Sequence, residues 1–221
     1  MFDFFKKAAL SKFSKNANQP PPPPSSLPLG LRVGGAVSID ALPFRVLGSE
    51  LLFQLPPGNQ VIESRGYIDL GQGANLHRFY LSDDAYIQVS TQAGTIDEIK
   101  LFQFVETKHP NTRAALEAWL KQGSELGRSE VQLKGKSFQR VWGDAALAYS
   151  PPVVFDEHVF KNSAAAADYD LTHYAMLYER EIPGSERLEY LLISVEDSGP
   201  NDFCVVFSIG VDISAADLEI I

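Results

Sequence analysis

The sequence predicts an α+β fold, mainly antiparallel β, with two three-stranded meanders and one interior helix between them. Two stretches, 76–106 and 172–213, hold alternating or continuous apolar runs that are broken by turn-forming Gly, Pro, Ser and Asp residues. The segment 109–127 between them has apolar residues at helical spacing. A basic N-terminal segment followed by five consecutive prolines adds a detached N-terminal amphipathic helix to this fold.

Each meander is recognised by its strands and turns. The first lies in "LHRFYLSDDAYIQVSTQ" and "TIDEIKLFQFVE", with a tight acidic turn at Ser82–Asp84. The second has turns at Pro183-Gly184-Ser185 and at Ser198-Gly199-Pro200. Its strands at 187–196 and 203–211 are nearly continuous apolar runs, which are typical of strands covered on both faces. We therefore expect these two strands to lie centrally.

The interior helix is predicted in "HPNTRAALEAWLKQGSELG". Asn111 or Thr112 is its expected N-cap, because their short polar side chains accept a hydrogen bond from the first helical turn. Gly123 is the expected stop signal, since glycine favours the end of a helix. Shorter helical turns are expected at 163–167 and at 214–218.

The first 15 residues are predicted to form the amphipathic helix. They carry four lysines against one aspartate, a net charge of +3, whereas residues 16–221 carry 15 basic against 27 acidic residues, a net charge of −12. Aromatic side chains fall on one helical stripe with lysines beside it, which predicts contact with a membrane surface or a partner protein. The residues expected to make that contact are Phe2, Phe5, Lys6, Lys12 and Phe13.

Three segments follow from this composition. Residues 1–15 form the amphipathic helix, and residues 16–28 form a Pro-rich linker. Proline lacks an amide hydrogen and favours the polyproline II conformation, so the linker is expected to act as a semi-rigid spacer. Residues 29–221 are expected to form a single α+β domain.

Charge and cysteine content exclude several classes of protein. The formal net charge of −9 repels nucleic-acid phosphates, so no nucleic-acid partner is expected. A single cysteine, Cys204, rules out an intrachain disulfide. No apolar run reaches the roughly 18 residues that a membrane-spanning helix needs, and the start of the chain lacks the order of a secretory signal. We therefore expect a cytoplasmic protein.

Partial cofactor motifs occur, but each lacks a residue that its chemistry requires. In "KGKS" (Lys134–Ser137), Glu130 stands where a phosphate-binding loop needs glycine. In "GYIDLGQGANL", Leu76 replaces the third glycine of the dinucleotide fingerprint. The calcium-loop spacing that begins at Asp168 has His173 where glycine is required. The sequence therefore predicts no cofactor, no metal ligand and no catalytic residue.

One polar cluster deserves a functional hypothesis. "PPVVFDEHVF" brings Asp156, Glu157 and His158 together, and His173 lies on a later predicted strand. A carboxylate and an imidazole in contact can bind a divalent metal or exchange protons with a substrate. The alternative is a polar turn between two strands, which uses the same residue types. These four residues form the candidate polar site.

The chain resembles the YjfK-like proteins of proteobacteria, a family of uncharacterised function. The stretches that carry the resemblance are "LPLGLRVGGAV", "ELLFQLP", "YIDLG", "HRFYLSDDAYIQV", "DEIKLF", "FQRVWG", "VVFDE", "HYAMLYERE", "VVFSIGVD" and "ADLEII". The resemblance implies a cytoplasmic protein encoded near a phage-shock-type membrane-remodelling protein, a small membrane protein and an ATP-grasp amide ligase. That context suggests a part in envelope stress or in peptide tagging.

Three functional hypotheses remain open. The first is a non-enzymatic adaptor that docks a protein partner through its acidic body and makes weak peripheral membrane contact through residues 1–15. The alternative is a small-molecule-binding or enzymatic accessory domain that works with the neighbouring amide ligase. The third is a structural protein that dimerises by pairing an exposed strand edge.

Overall fold

The computed structural model describes residues 27–162 and 166–221. Those residues contain two α-helices, α1 (Leu42–Leu47) and α2 (Arg113–Trp119), and three short 3-10 turns. They also contain twelve strands: β1 (Ala36–Ile39), β2 (Gln60–Gly71), β3 (Ala74–Leu81), β4 (Ala85–Gln92), β5 (Thr95–Lys108), β6 (Glu130–Leu133), β7 (Lys136–Arg140), β8 (Val153–Phe160), β9 (Tyr169–Glu181), β10 (Leu188–Gly199), β11 (Asp202–Ile213) and β12 (Leu218–Ile220). The predicted helix at 1–15 and most of the predicted linker at 16–28 lie outside these ranges.

The predicted fold class is wrong. The strands pair in the order β12-β1-β2-β3-β4-β5-β11-β10-β9-β7-β6, and β8 pairs with both β2 and β9. Eight strands, β2 to β5 and β8 to β11, therefore close on themselves in one sheet, and the remaining four extend it. The fold is mostly antiparallel β with two short helices, instead of α+β with two three-stranded meanders. Closure provides partners for the edges that separate meanders would leave unpaired.

The chain divides into two compact units. The first unit comprises the described residues of 27–103, 156–170 and 211–221, and the second comprises 104–155 and 171–210. The single domain at 29–221 stays a prediction. In the first unit, Phe79 lies opposite Ile87 and Ile87 lies opposite Leu101, and all three are fully buried. These three side chains form the centre of that unit's core.

In the second unit, α2 begins where the sequence predicts. The Thr112 side chain accepts a hydrogen bond from the Ala115 N–H at 3.1 Å, which confirms the N-cap. The helix ends at Trp119, before the expected stop at Gly123, because the Leu120 N–H bonds the Glu117 carbonyl in a tighter turn. Leu116 is buried. The Trp119 and Phe207 rings meet edge to face, with their centroids 6.1 Å apart.

Several strand predictions are confirmed at the level of single elements. The acidic turn at Ser82–Asp84 joins β3 to β4. Consecutive residues are buried at 189–195 in β10 and at 205–211 in β11, as expected for strands covered on both faces. A 3-10 turn at Ala215–Asp217 lies within the helical turn expected at 214–218. The helical turn expected at 163–167 includes residues 163–165, which fall outside the described ranges.

Candidate functional site

The β8 strand separates the residues of the candidate polar site. Successive side chains of a strand point to opposite faces, so Asp156 and His158 share one face and Glu157 lies on the other. Asp156 is exposed, whereas Glu157 is fully buried. The polar-turn alternative for this segment is wrong, because Val153–Phe160 is a continuous strand. Alternation therefore divides three residues that are adjacent in the sequence.

Glu157 is held by a buried ion pair in the first unit. Its Oε2 lies 2.7 Å from the Arg78 Nη1, and its Oε1 accepts a hydrogen bond from the Tyr80 hydroxyl at 2.7 Å. The Arg78 Nε donates to the Gln88 Oε1 at 3.0 Å. Burial is the largest single influence and lowers the pKa of Arg78, but Glu157, Tyr86 and Tyr80 together outweigh it, and the pKa is raised overall. This network gives the buried Glu157 carboxylate two hydrogen-bond donors inside the fold.

Gly66 makes room for that ion pair. A Cβ atom at position 66 would lie 1.6 Å from the Oε1 and 2.6 Å from the Cδ of Glu157. Gly66 is opposite Arg78 on β3 and opposite Val159 on β8. Only a residue without a side chain lets the carboxylate of Glu157 cross β2 to reach Arg78.

The two histidines of the candidate polar site have different surroundings. His158 lies in the first unit, where its Nδ1 is 2.6 Å from the Oδ1 of Asp170. His173 lies in the second unit and is buried. Its Nδ1 is 2.9 Å from the Ser194 hydroxyl, and its ring stacks on Phe155 with centroids 5.0 Å apart. The two histidines belong to different units, and their grouping in one site stays a prediction.

Cys204 has the chemistry of an unreactive thiol. Burial raises its pKa to about 12, with further contributions from Glu196 and Asp202. A thiolate nucleophile needs a lowered pKa instead. The Cys204 Sγ lies 4.0 Å from the Glu196 Oε2, and it is half-buried.

A second buried ion pair lies in the second unit. Arg180 of β9 is directly opposite Glu189 of β10, and its Nη2 and Nε lie 2.6 and 2.8 Å from the Glu189 Oε2. The Glu189 side chain is fully buried. Two strands are therefore joined by a charge pair across the sheet, as β3 and β8 are joined by Arg78 and Glu157.

A third buried arginine was not among the residues predicted from the sequence to form a site. Arg65, on β2 in the first unit, is 6 % exposed, and its guanidinium lies over the Phe160 ring at 3.7 Å. Its Nη1 is buried without a hydrogen-bond partner. The signal in the sequence was an arginine inside "VIESRGYIDLG", flanked by apolar residues. No strand was predicted for residues 61–65, so the arginine was not assigned to a buried face.

His77 adjoins Arg65 in the same unit. Burial, and after it the positive charge of Arg65, lower the pKa of His77 from 6.5 to about 4. The Tyr67 ring lies 5.5 Å from the His77 ring, and the Tyr67 hydroxyl donates to the Asn75 Oδ1 at 2.8 Å. The imidazole is therefore neutral at pH 7.

This depressed pKa predicts a dependence of stability on pH. Between pH 6.5 and 4 the unfolded chain protonates His77 and the folded chain does not, so stability falls as the pH drops. The total loss is expected to be about 3 kcal/mol, at 1.36 kcal/mol per pKa unit. Urea unfolding across this range measures it. His77→Gln is expected to flatten the slope, and His109→Gln, at an exposed position, to keep it; equal slopes in both variants contradict the prediction.

Three apolar residues lie side by side on β2, on β1 and at the position that follows β12. Val61 is opposite Ala36, and Ala36 exchanges two backbone hydrogen bonds with Ile221, at 3.3 and 2.8 Å. Opposed residues of antiparallel strands share a face, so these three form what we call the apolar row. Val61 is 47 % and Ile221 is 55 % exposed. Glu63 and Glu219, both exposed, are each two residues from a member of the row.

Two further observations concern the described residues only. No helix within them is long and apolar enough to cross a membrane. No group of three or more His, Cys, Asp or Glu side chains among them is arranged to hold a metal ion. The expected contact residues Phe2, Phe5, Lys6, Lys12 and Phe13 fall outside the described ranges.

Comparisons with known proteins agree with the resemblance seen in the sequence. The family model described as "Protein of unknown function (DUF2491)" matches residues 4–219. The chain is 31 % identical over 206 residues to "Uncharacterized protein YjfK" of Escherichia coli (strain K12). The aligned region covers 88 % of this chain and 90 % of that protein. No solved structure matches the chain.

Proposed function

The chain belongs to the DUF2491 family, of YjfK-like proteins of unknown function, and we propose that it acts as a non-enzymatic adaptor that docks a partner protein. The observation that carries the proposal is the apolar row with its two neighbouring carboxylates. The exposed side chains of Val61 and Ile221, aligned on either side of Ala36, favour contact with another apolar surface. Glu63 and Glu219 favour a partner with basic side chains, and residues 16–221 carry a net charge of −12.

The edge of the sheet next to the apolar row supports an extended partner segment. β12 ends the strand order and, in the described part of the chain, pairs with β1 alone. Ile221 and Ala36 bond each other, so the neighbouring Ile220 directs its backbone N–H and C=O away from β1. A partner strand would bond there, extend the row with its own apolar residue, and place a Lys or Arg near Glu219.

Photocrosslinking in living cells tests this docking. A photocrosslinking amino acid in place of Val61 is expected to crosslink to another protein. The crosslinked peptide of that protein is expected to contain an apolar residue within about two positions of a Lys or Arg. The matched control is the same amino acid in place of Val154, an exposed valine of β8. Crosslinks to a second copy, to this chain's own residues 1–15, or in equal yield at both positions contradict the proposal. Val61→Glu is expected to weaken binding of the identified partner at least about tenfold.

We place this adaptor in a membrane-associated, envelope-stress system at the cytoplasmic side of the membrane. The resemblance to YjfK-like proteins suggests that system, and the net charge of +3 on residues 1–15 supports weak contact with an anionic bilayer. Each lysine near an anionic surface contributes about 1 kcal/mol, and stable anchoring takes two signals. The contact is therefore reversible.

Liposome flotation measures this membrane contact. The full-length chain is expected to rise with anionic vesicles, and a chain without residues 1–15 to remain in the dense fraction. Phe5→Glu together with Phe13→Glu is expected to remove the contact, because both substitutions place carboxylates on the apolar stripe. Equal recovery of the full-length and shortened chains away from lipid contradicts the membrane contact and leaves protein docking untouched.

A second candidate function is supported by a different observation. The unpaired Arg65 in the first unit favours a small-molecule-binding role. This role uses β2, β3 and β8 instead of the apolar row.

A further inference from the structure

Arg65 differs from the other buried arginines in having no anion to pair with. Arg78 and Arg180 each contact a fully buried glutamate, whereas the Arg65 Nη1 is buried without a hydrogen-bond partner among the described residues. Burial of a charge without a partner is costly, and burial accordingly lowers the pKa of Arg65. The Phe160 ring offsets part of this cost through a cation–π contact but offers no hydrogen-bond acceptor.

The strand register places Arg65 between two aromatic rings. Arg65 is opposite Phe79 on β3 and opposite Phe160 on β8. All three therefore lie on one face, and both rings are buried. The guanidinium lies over the Phe160 ring, and its Nη1 has no hydrogen-bond partner and is able to donate.

A second row of side chains lies next to Arg65 on the same face. Tyr67 is opposite His77 on one side and His158 on the other. Diagonal neighbours in a sheet are about 7–8 Å apart, a distance that an arginine side chain spans. Two imidazoles and a phenol therefore lie in the row next to Arg65, on the same face of the sheet.

We propose that Arg65, His77, His158 and Tyr67 form a binding site for the oxyanion group of a small ligand, a phosphate or a carboxylate. The planar guanidinium binds two oxygens of such a group at once. The imidazole N–H groups supply further donors to the remaining oxygens, whereas the Tyr67 hydroxyl, which donates to Asn75, lines the site. This inference rests on the small-molecule-binding role proposed above and is independent of docking at the apolar row.

Two exposed carboxylates on the same face oppose anion entry. Asp69 is two residues from Tyr67, and Asp156 is two residues from His158. Both are exposed, and water and salt screen exposed charges more than buried ones. Removing the Asp69 charge is therefore expected to increase the affinity for an anion.

An anion at Arg65 changes the titration of His77. Without it, burial and the charge of Arg65 hold the imidazole neutral. A bound anion cancels the repulsion from Arg65 and attracts the imidazolium, so the pKa of His77 rises from about 4. The other titratable groups facing the site are His158, which contacts Asp170, and the two exposed carboxylates Asp69 and Asp156.

NMR titration of the His77 imidazole on the full chain tests the proposal, with inorganic phosphate and acetate in separate arms. Saturating anion is expected to raise the pKa of His77 by about one unit or more, which is a tenfold linkage between proton and anion binding. A shift with phosphate alone indicates a phosphoryl ligand, and a shift with acetate alone indicates a carboxylate. Absence of a shift with both anions overturns the proposal.

Calorimetry on variants supplies the second measurement. Arg65→Leu is expected to abolish anion binding, Arg65→Lys to weaken it, and Asp69→Asn to tighten it. Arg45→Leu, at an exposed arginine of α1, is the matched control and is expected to bind as the wild type does. Weaker binding by Asp69→Asn, or unchanged binding by Arg65→Lys, overturns the proposal even where Arg65→Leu does not fold. Val61→Glu is expected to retain anion binding, which separates this site from the docking role.

Discussion

Arg78→Leu is expected to lower the free energy of unfolding by about 3–5 kcal/mol, the usual cost of leaving one partner of a buried ion pair uncompensated. Glu157 is fully buried, and the Tyr80 hydroxyl would remain as a neutral donor to a carboxylate that had lost its charged partner. Guanidinium chloride unfolding followed by tryptophan fluorescence measures the loss.

Two controls separate the lost charge pair from lost packing. Arg45→Leu makes the same substitution at an exposed position and is expected to leave the unfolding midpoint unchanged. Combining Arg78→Leu with Glu157→Leu removes both charges, and most of the lost stability is expected to return. A double variant that is no more stable than Arg78→Leu alone would contradict this account of the pair.

Gly66→Ala is expected to destabilise the protein by a similar amount, about 3–5 kcal/mol, because it disrupts the same ion pair. The new methyl group would overlap the carboxylate of Glu157, because its carbon would lie 1.6 Å from the Glu157 Oε1. β2 and β8 would have to separate, or Glu157 would have to leave Arg78. Denaturant unfolding again measures the effect.

The matched comparison for this prediction is Gly35→Ala. An added Cβ at position 35 would lie 3.1 Å from the Arg32 carbonyl oxygen, so a smaller loss of stability is expected. A double-mutant cycle with Glu157→Ala isolates the overlap. Adding Gly66→Ala to Glu157→Ala is expected to cost far less than adding it to the wild type, since the obstructing carboxylate is gone. Equal costs in both backgrounds would contradict the steric explanation.

Local patterns in the sequence predicted elements whose own residues carry the signal. The acidic turn at Ser82–Asp84 and the Thr112 cap depend on neighbours within a few positions, and both are present. The buried runs in β10 and β11 were recognisable from their continuous apolar residues. Such features are local, so one sequence is enough to predict them.

The closed sheet could not be predicted because its decisive strands have weak local patterns. β2 contains a buried arginine and a glycine, and β8 contains three consecutive polar residues, so neither matches a strand template. Their roles follow from pairing with each other, in the register that places Arg65 opposite Phe160. Without these two strands, the predicted meanders had no means of closing.

Sequence patterns could not predict the buried charged residues either. Arg78 and Glu157 are 79 positions apart, and nothing near either residue identifies the other. The register shift between Ile62 and Ser64 also changes which residues of β2 share a face, so simple alternation from Val61 misplaces Arg65. Glu157 was selected as part of a functional cluster, whereas its contacts give it a structural role.

We infer that each paired buried arginine compensates the charge of a buried glutamate, whereas the unpaired Arg65 is kept for a ligand at the expense of stability. The most direct measurement compares the unfolding free energies of Arg65→Leu and Arg78→Leu in buffer free of phosphate and carboxylate. Arg78→Leu is expected to be much less stable than the wild type, and Arg65→Leu as stable or more so, since leucine removes an uncompensated charge. A loss in Arg65→Leu as large as that in Arg78→Leu would contradict the claim.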